Sequence, residues 1–231
     1  MRSPDFRAVL FDVGGPINTE VEHERLIDAD IVAALAAEGV AVTPEAYAEA
    51  TAWAVSSFAP DAYAAIITRL AGGDLALAER AYAAMHRRAD RRTSFELREG
   101  IAGVIAWLRG RGLLLGLAAN QPARTLDVLD ELGIGRYFSH RQVSGTHGFH
   151  KPDVRLFLAA CDDLGVATEQ CIMVGDRIDN DVAPARLLGM TTVLFRTGRH
   201  AAQQPRSWDE APHAEVTDVP ALRAALDHFV T

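Results

Sequence analysis

Lysine is nearly missing from this chain: of 23 Lys and Arg residues in 231, a single one, Lys151, is lysine. Cysteine is equally scarce. Cys161 falls in an amphipathic helical stretch and Cys171 leads into an apolar strand, a pattern that offers neither a disulfide framework nor metal-ligand spacing. Both read as small core residues in a reducing cytoplasm. Positive charge is in deficit, with a formal net charge of -8, so a nucleic-acid groove or an anionic membrane surface is excluded as the main partner. The Arg87-Arg88 and Arg91-Arg92 pairs read as the solvated face of a helix. No apolar run approaches a membrane span, and Met1-Arg2-Ser3-Pro4-Asp5 lacks the apolar region of a signal peptide. The expectation is a soluble, cytoplasmic protein.

What is present is apolar and ordered. Hydrophobic residues make up 49% and charged residues 23%, enough for one sizeable core or a core with a smaller satellite domain. Arg7 to Asp12 is a short apolar run that ends in an acid and then in Gly14-Gly15-Pro16, as a buried parallel strand gives way to a loop. The pattern recurs at Leu113 to Ala119, closed by Asn120-Gln121-Pro122; at Cys171 to Val174, closed by Gly175-Asp176; and at Thr191 to Phe195, closed by Arg196-Thr197-Gly198. Helical periodicity fills the intervals at about 99–111, 122–133, 152–165 and 180–189, and Ala214 to Val230 reads as a last strand and a closing helix. Alternation of this kind predicts an α/β fold: a doubly wound, Rossmann-like parallel sheet covered on both faces. In such sheets ligands bind beyond the carboxyl ends of the strands, where Asp12, Asn120 and Asp176 fall.

Residues 18–94 break the alternation. They are alanine-rich and strand-poor, and divide into helical pieces at Val21–Glu38, Pro44–Phe58, Pro60–Leu70 and Leu75–Arg91. The expected organisation is an α/β core of 1–17 and 95–231, with 18–94 inserted as an all-helical cap domain hinged near Asn18 and Ser94. Trp53, Phe58, Tyr63 and Tyr82 suit the core of the cap as well as the wall of a pocket.

The chemistry-bearing residues stand at the strand ends. Lys151, in Gly148-Phe149-His150-Lys151-Pro152-Asp153, supplies a compact ammonium where the chain elsewhere uses the wide guanidinium fork. It reads as a partner for buried carboxylates or a phosphoryl group, against the alternative of a solvated surface lysine. Asp12 can present its oxygens to a ligand or metal in a polar mouth, or serve as a turn residue. In Val174-Gly175-Asp176-Arg177-Ile178-Asp179-Asn180-Asp181 several acids follow a buried strand within one loop and turn. Such oxygen clusters suit magnesium; helix capping accounts for Asp179 or Asn180 and leaves Asp176 unexplained.

An aspartate ending the first strand, a lysine before proline in a later loop and a Gly-Asp-x-x-x-Asn-Asp loop together resemble the haloacid dehalogenase superfamily of phosphatases and related hydrolases. The resemblance covers nearly the whole chain, and the helical insertion sits where many members carry a cap. It implies that Asp12 is the nucleophile, that Lys151 steadies Asp12 and the phosphoryl oxygens, and that Mg2+ is held by Asp12, the Gly14 carbonyl, Asp176 and Asp181, directly or through water. Gly15, Asn120, Gln121 and Lys151 are then the substrate-binding set, and the substrate is a small phosphorylated metabolite handled by a monomer or homodimer. Two departures stand out. Family phosphatases carry a second, acid/base aspartate where this chain has Gly14, and a serine or threonine where it has Ala119. Substitutes for the acid could come from Glu20, Glu22 or His23, while His147 and His150 flank Lys151 as loop residues. Members without the second aspartate include metal-independent 2-haloacid dehalogenases, against which the acidic loop argues, and phosphonoacetaldehyde hydrolases, which need a cap lysine this chain lacks. Acyl phosphates or anhydrides, whose leaving groups depart as stable anions, suit the residues present; a catalytically impaired binding protein of the same fold is the alternative from a different class.

Overall fold

The computed structural model of the chain describes residues 5–89 and 95–231. The expected hinge at Ser94, the N-terminal Met1–Pro4 and the Arg91-Arg92 pair lie outside the described residues. The described chain divides into two compact units: Met1–Thr19, Glu96–Thr197 and Gln204–Thr231 in one, Glu20–Phe95 and Gly198–Gln203 in the other.

In the first unit β1 (Ala8–Phe11), β2 (Leu114–Leu117), β3 (Cys171–Gly175), β4 (Thr191–Phe195) and β5 (Ala214–Val216) form one parallel sheet in the order β2-β1-β3-β4-β5. Ala8 and Phe11 face Leu114 and Leu117 on one side and Cys171 and Val174 on the other, which fixes the register around the site. Strands this short and wholly apolar belong in a parallel sheet because both of their faces are covered. One face takes Ala8, Leu10, Cys171 and Met173 against Leu156, Phe157 and Ala160 of the helix Val154–Leu164. Asp153 opens that helix by accepting the Arg155 backbone N–H at 3.0 Å.

The second unit begins with α1 (Val21–Ala37), α2 (Pro44–Ser56), α3 (Ala62–Leu70) and α4 (Leu75–Ala89). Its core is Ile27, Ile31, Leu35, Ile66, Ile67 and Met85. Thr43 and Asp61 cap α2 and α3, accepting the backbone N–H groups of Ala46 and Ala64. Tyr63 and Tyr82 pack against this core, whereas Trp53 is exposed. The chain then returns to the first unit with α5 (Ile101–Gly110), α6 (Thr125–Glu131), α7 (Ser144–His147), α8 (Val154–Leu164), α9 (Ala183–Leu187) and α10 (Val219–Val230). Among the described residues no helix is long and apolar enough to cross a membrane.

Gly198–Gln203, which the sequence groups with the segments after residue 95, belongs with the helical unit instead. There Arg199 donates its backbone N–H to Glu24 Oε1 at 2.8 Å and its guanidinium to Asp28 at 2.5 Å, and lies over the Tyr63 ring. Asp28 also accepts the Tyr47 hydroxyl at 2.5 Å.

Candidate active site

The carboxyl ends of β1 and β3 bring three acids and the single lysine into one buried cluster. Asp12 directly follows β1 and is anchored by its own N–H to the Val174 carbonyl at 2.8 Å. Its Oδ1 accepts the Val13 N–H at 2.7 Å. Lys151 Nζ lies 2.9 Å from Asp12 Oδ1 and 2.6 Å from Asp181 Oδ1, with the lysine 5% exposed and Asp181 fully buried. Carboxylate oxygens of Asp12, Asp176 and Asp181 lie within 4.8 Å of one another.

Asp181 owes its position to backbone geometry. After β3 the chain makes a single π-helical turn, Ile178–Val182, in which Val182 N–H reaches the Arg177 carbonyl at 3.2 Å. Single π turns of this sort interrupt ordinary helix and re-aim side chains. Here the Asp181 side chain turns back, and its Oδ2 accepts the backbone N–H groups of Asp176 at 3.1 Å and Arg177 at 2.9 Å. Gly175 makes room for it: a Cβ there would stand 2.3 Å from Asp181 Cγ. Gly15, at φ +77°, does the same for Asp176, whose Cβ would be 2.7 Å from an added methyl.

Lys151 is aimed by Asn120. The Asn120 amide accepts the Lys151 N–H at 2.7 Å and donates to the Lys151 carbonyl at 3.0 Å, so both halves of the side chain hold the lysine's backbone. Gln121 turns its side chain to the Thr125 hydroxyl at 3.2 Å and its carbonyl to the Gly145 N–H at 3.0 Å. In this arrangement both residues support the loops around Lys151. Gly14, expected beside the metal, follows Asp12 by two residues and bridges to Asn18. The 13–19 loop is tied down further by Asn18 Oδ1 on the Glu96 N–H at 2.8 Å and by Arg98, which donates to the Gly15 carbonyl at 2.8 Å and to the Thr197 hydroxyl at 3.0 Å. Arg98 and Gly175 had no distinguishing signal in the sequence, since Arg98 is one arginine among many and Gly175 reads as turn punctuation. Of the candidate proton donors, Glu22 pairs with Arg25 at 2.7 Å on an exposed face of α1, and Glu20 caps α1 in a left-handed conformation.

Charge sets the electrostatics. Three carboxylates crowd around one ammonium, with the Arg177 guanidinium drawn to Asp176 and Asp181 from one side. Burial is the largest influence on Asp12 and pushes its carboxyl up to about 6, with the Lys151 charge pulling it back and Asp181 adding to the rise. Lys151 is held above the ordinary lysine range: burial opposes its charge, and Asp12 and Asp181 together outweigh burial.

A divalent cation fits this donor set, because the acids are all hard oxygen ligands and they converge within one ion's reach.

A five-stranded parallel sheet carries this buried cluster of acids and lysine beyond the carboxyl ends of β1 and β3. The chain matches the haloacid dehalogenase-like hydrolase family over residues 6–189 and belongs to that family. It is 36% identical over 110 residues to a glyceraldehyde 3-phosphate phosphatase of Methanopyrus kandleri, covering 47% of each chain. It is 37% identical over 116 residues to a phosphoserine phosphatase of Thermus thermophilus, covering 50% of this chain and 45% of that one. The chain spans about half the length of the curated relatives it matches. A predicted phosphoglycolate phosphatase from Haemophilus somnus shares the fold at a TM-score of 0.72 and 17% identity, over 98% of this chain and 99% of that one.

Proposed function

We propose that the protein is a magnesium-dependent phosphohydrolase that transfers the phosphoryl group of a small phosphorylated metabolite to Asp12 and then to water. The observation that carries this reading is the Lys151 ammonium, buried between Asp12 Oδ1 and Asp181 Oδ1 beside the convergent Asp176. Asp12 is the nucleophile: one carboxylate oxygen attacks phosphorus, the bond to the leaving oxygen breaks, and an acyl phosphate forms on Asp12. Lys151 lies against Asp12 and offsets the charge that keeps two anions apart. Asp12, Asp176 and the Gly14 carbonyl would hold Mg2+, with Asp181, already engaged by Lys151 and two backbone N–H groups, joining directly or through water. Bound there, Mg2+ would neutralise phosphoryl charge.

Gly14 keeps a carbonyl for the metal and supplies no proton. General acid-base catalysis is worth about 10²–10⁴ in rate, so substrates whose leaving groups depart as stable anions, acyl phosphates and anhydrides, are the ones this site suits. The helical unit, Glu20–Phe95 with Gly198–Gln203, acts as the cap that selects among them in a cytoplasmic protein. The phosphatase names of the relatives support the phosphoryl chemistry. Phosphate release from acetyl phosphate and from an alkyl phosphate monoester such as glycerol 3-phosphate, with and without Mg2+, tests the reading. Mg2+-dependent turnover of acetyl phosphate, weak ester hydrolysis and enhancement of the ester reaction by Gly14→Asp are expected. Turnover of neither compound by the native chain would overturn it.

A further inference from the structure

The two cysteines of this chain, which the sequence offers as unrelated core residues, meet. Cys161 on α8 and Cys171 at the start of β3 have their Sγ atoms 3.6 Å apart, both buried. Both are free thiols. A covalent S–S bond is about 2.05 Å long, so the sulfurs stand about 1.5 Å from bonding distance. The contact polarises the pair. Cys161 is held below the ordinary thiol range, chiefly by the hydrogen bond from Cys171, and Cys171 is pushed up by the same bond and by burial. The Ala167 carbonyl, 3.5 Å from Cys171 Sγ, gives that thiol a second acceptor. Asp162, Asp163, Gly165, Ala167 and Glu169, which join the two cysteines along the chain, are all exposed.

We propose that Cys161 and Cys171 form a modification site: a reversible disulfide closed by a small oxidant of the peroxide class. The Cys161 thiolate attacks one peroxide oxygen and the O–O bond breaks; the departing hydroxide takes a proton and leaves as water, with a sulfenic acid on Cys161. The Cys171 sulfur then attacks the Cys161 sulfur. The S–S bond forms, the S–O bond breaks, and the oxygen leaves as a second water carrying the Cys171 proton. Both sulfurs are oxidised and both peroxide oxygens reduced: two thiols and one hydrogen peroxide give one disulfide and two waters. The bridge would tie the end of α8 to the start of β3, at the opposite end of that strand from Asp176. It is independent of the phosphoryl chemistry.

The folded, reduced chain treated with hydrogen peroxide and quenched with iodoacetamide tests this by mass spectrometry. The expected product has lost two hydrogens, carries no alkyl group, yields a 161–171 cross-linked peptide and returns to two alkylatable thiols with dithiothreitol. In Cys171→Ser, dimedone should trap a sulfenic acid on Cys161. Retention of two alkylatable thiols by the folded chain, at peroxide doses that cross-link it in guanidinium chloride, would overturn the proposal. So would sulfinic acid on either cysteine without cross-linking.

Discussion

Asp12 carries a stability cost that its burial sets. Its folded pKa of about 6 stands above the ordinary 3.8, so the folded chain binds a proton more tightly than the unfolded one. The sign follows from linkage: stability associated with this group is full below pH 4 and is lost as pH rises through about 6. An ionised Asp12 therefore burdens the metal-free fold at pH 8 by an amount on the order of 1–3 kcal/mol. Asp12→Asn should raise the Tm of the metal-free chain at pH 8 and leave it nearly unchanged at pH 4, as read by calorimetry in chelator. Added Mg2+ should raise the Tm of the native chain and not that of the variant. An Asp12→Asn chain no more stable than the native one at pH 8 would contradict this electrostatic account. At this scale Lys151 was legible from the sequence, because a lone lysine among arginines is a compositional anomaly with a physical reason. Asn120 was legible as a polar residue at a strand end, and its two bonds to the backbone of Lys151 were not, because sequence does not tell which partner an amide there will meet.

Among the elements, β1 and the strands from Leu113, Cys171 and Thr191 could be read directly, since strands buried on both faces are written as unbroken apolar runs between turn signals. The π turn Ile178–Val182 and the short α7 could not. Helical elements of four or five residues have no periodicity to detect. Gly175 holds the consequence. Its added methyl would stand 2.3 Å from Asp181 Cγ, whose side chain is anchored by two backbone N–H groups and Lys151. Gly175→Ala should therefore push Asp181 off Lys151, destabilise the chain by about 1–3 kcal/mol and lower Mg2+-dependent turnover at least tenfold. Urea unfolding and a Mg2+ titration of activity measure the two effects separately, and unaltered turnover would show that Asp181 can move without cost to the site.

For the whole molecule, the division into α/β and helical parts was legible as the switch from strand-helix alternation to alanine-rich helix near residue 18. The return of Gly198–Gln203 to the helical unit was not. The Arg199–Glu24 and Arg199–Asp28 contacts span 175 and 171 residues, and no local pattern encodes a partner that distant. Arg199 is nearly buried and serves Asp28 together with Tyr47. Charged hydrogen bonds of this kind are worth about 1.5–3 kcal/mol, so Arg199→Ala should destabilise the helical unit first. Hydrogen exchange should show lost protection in α1 and α2 while β1 and β3 keep theirs. Uniform loss in both units would contradict the assignment of this segment.

The proposed phosphoryl transfer requires Asp12 as its acceptor. Because Gly14 cannot activate water for the second step, the acyl phosphate on Asp12 should outlive that of an enzyme with an acid at this position. The measurement to make is intact-mass and peptide analysis after brief mixing with acetyl phosphate and Mg2+, quenched in acid. A single phosphoryl group on the Asp12 peptide, missing in chelator and in Asp12→Asn, is the predicted result. A chain that takes up no phosphoryl group and releases no phosphate under these conditions would contradict it.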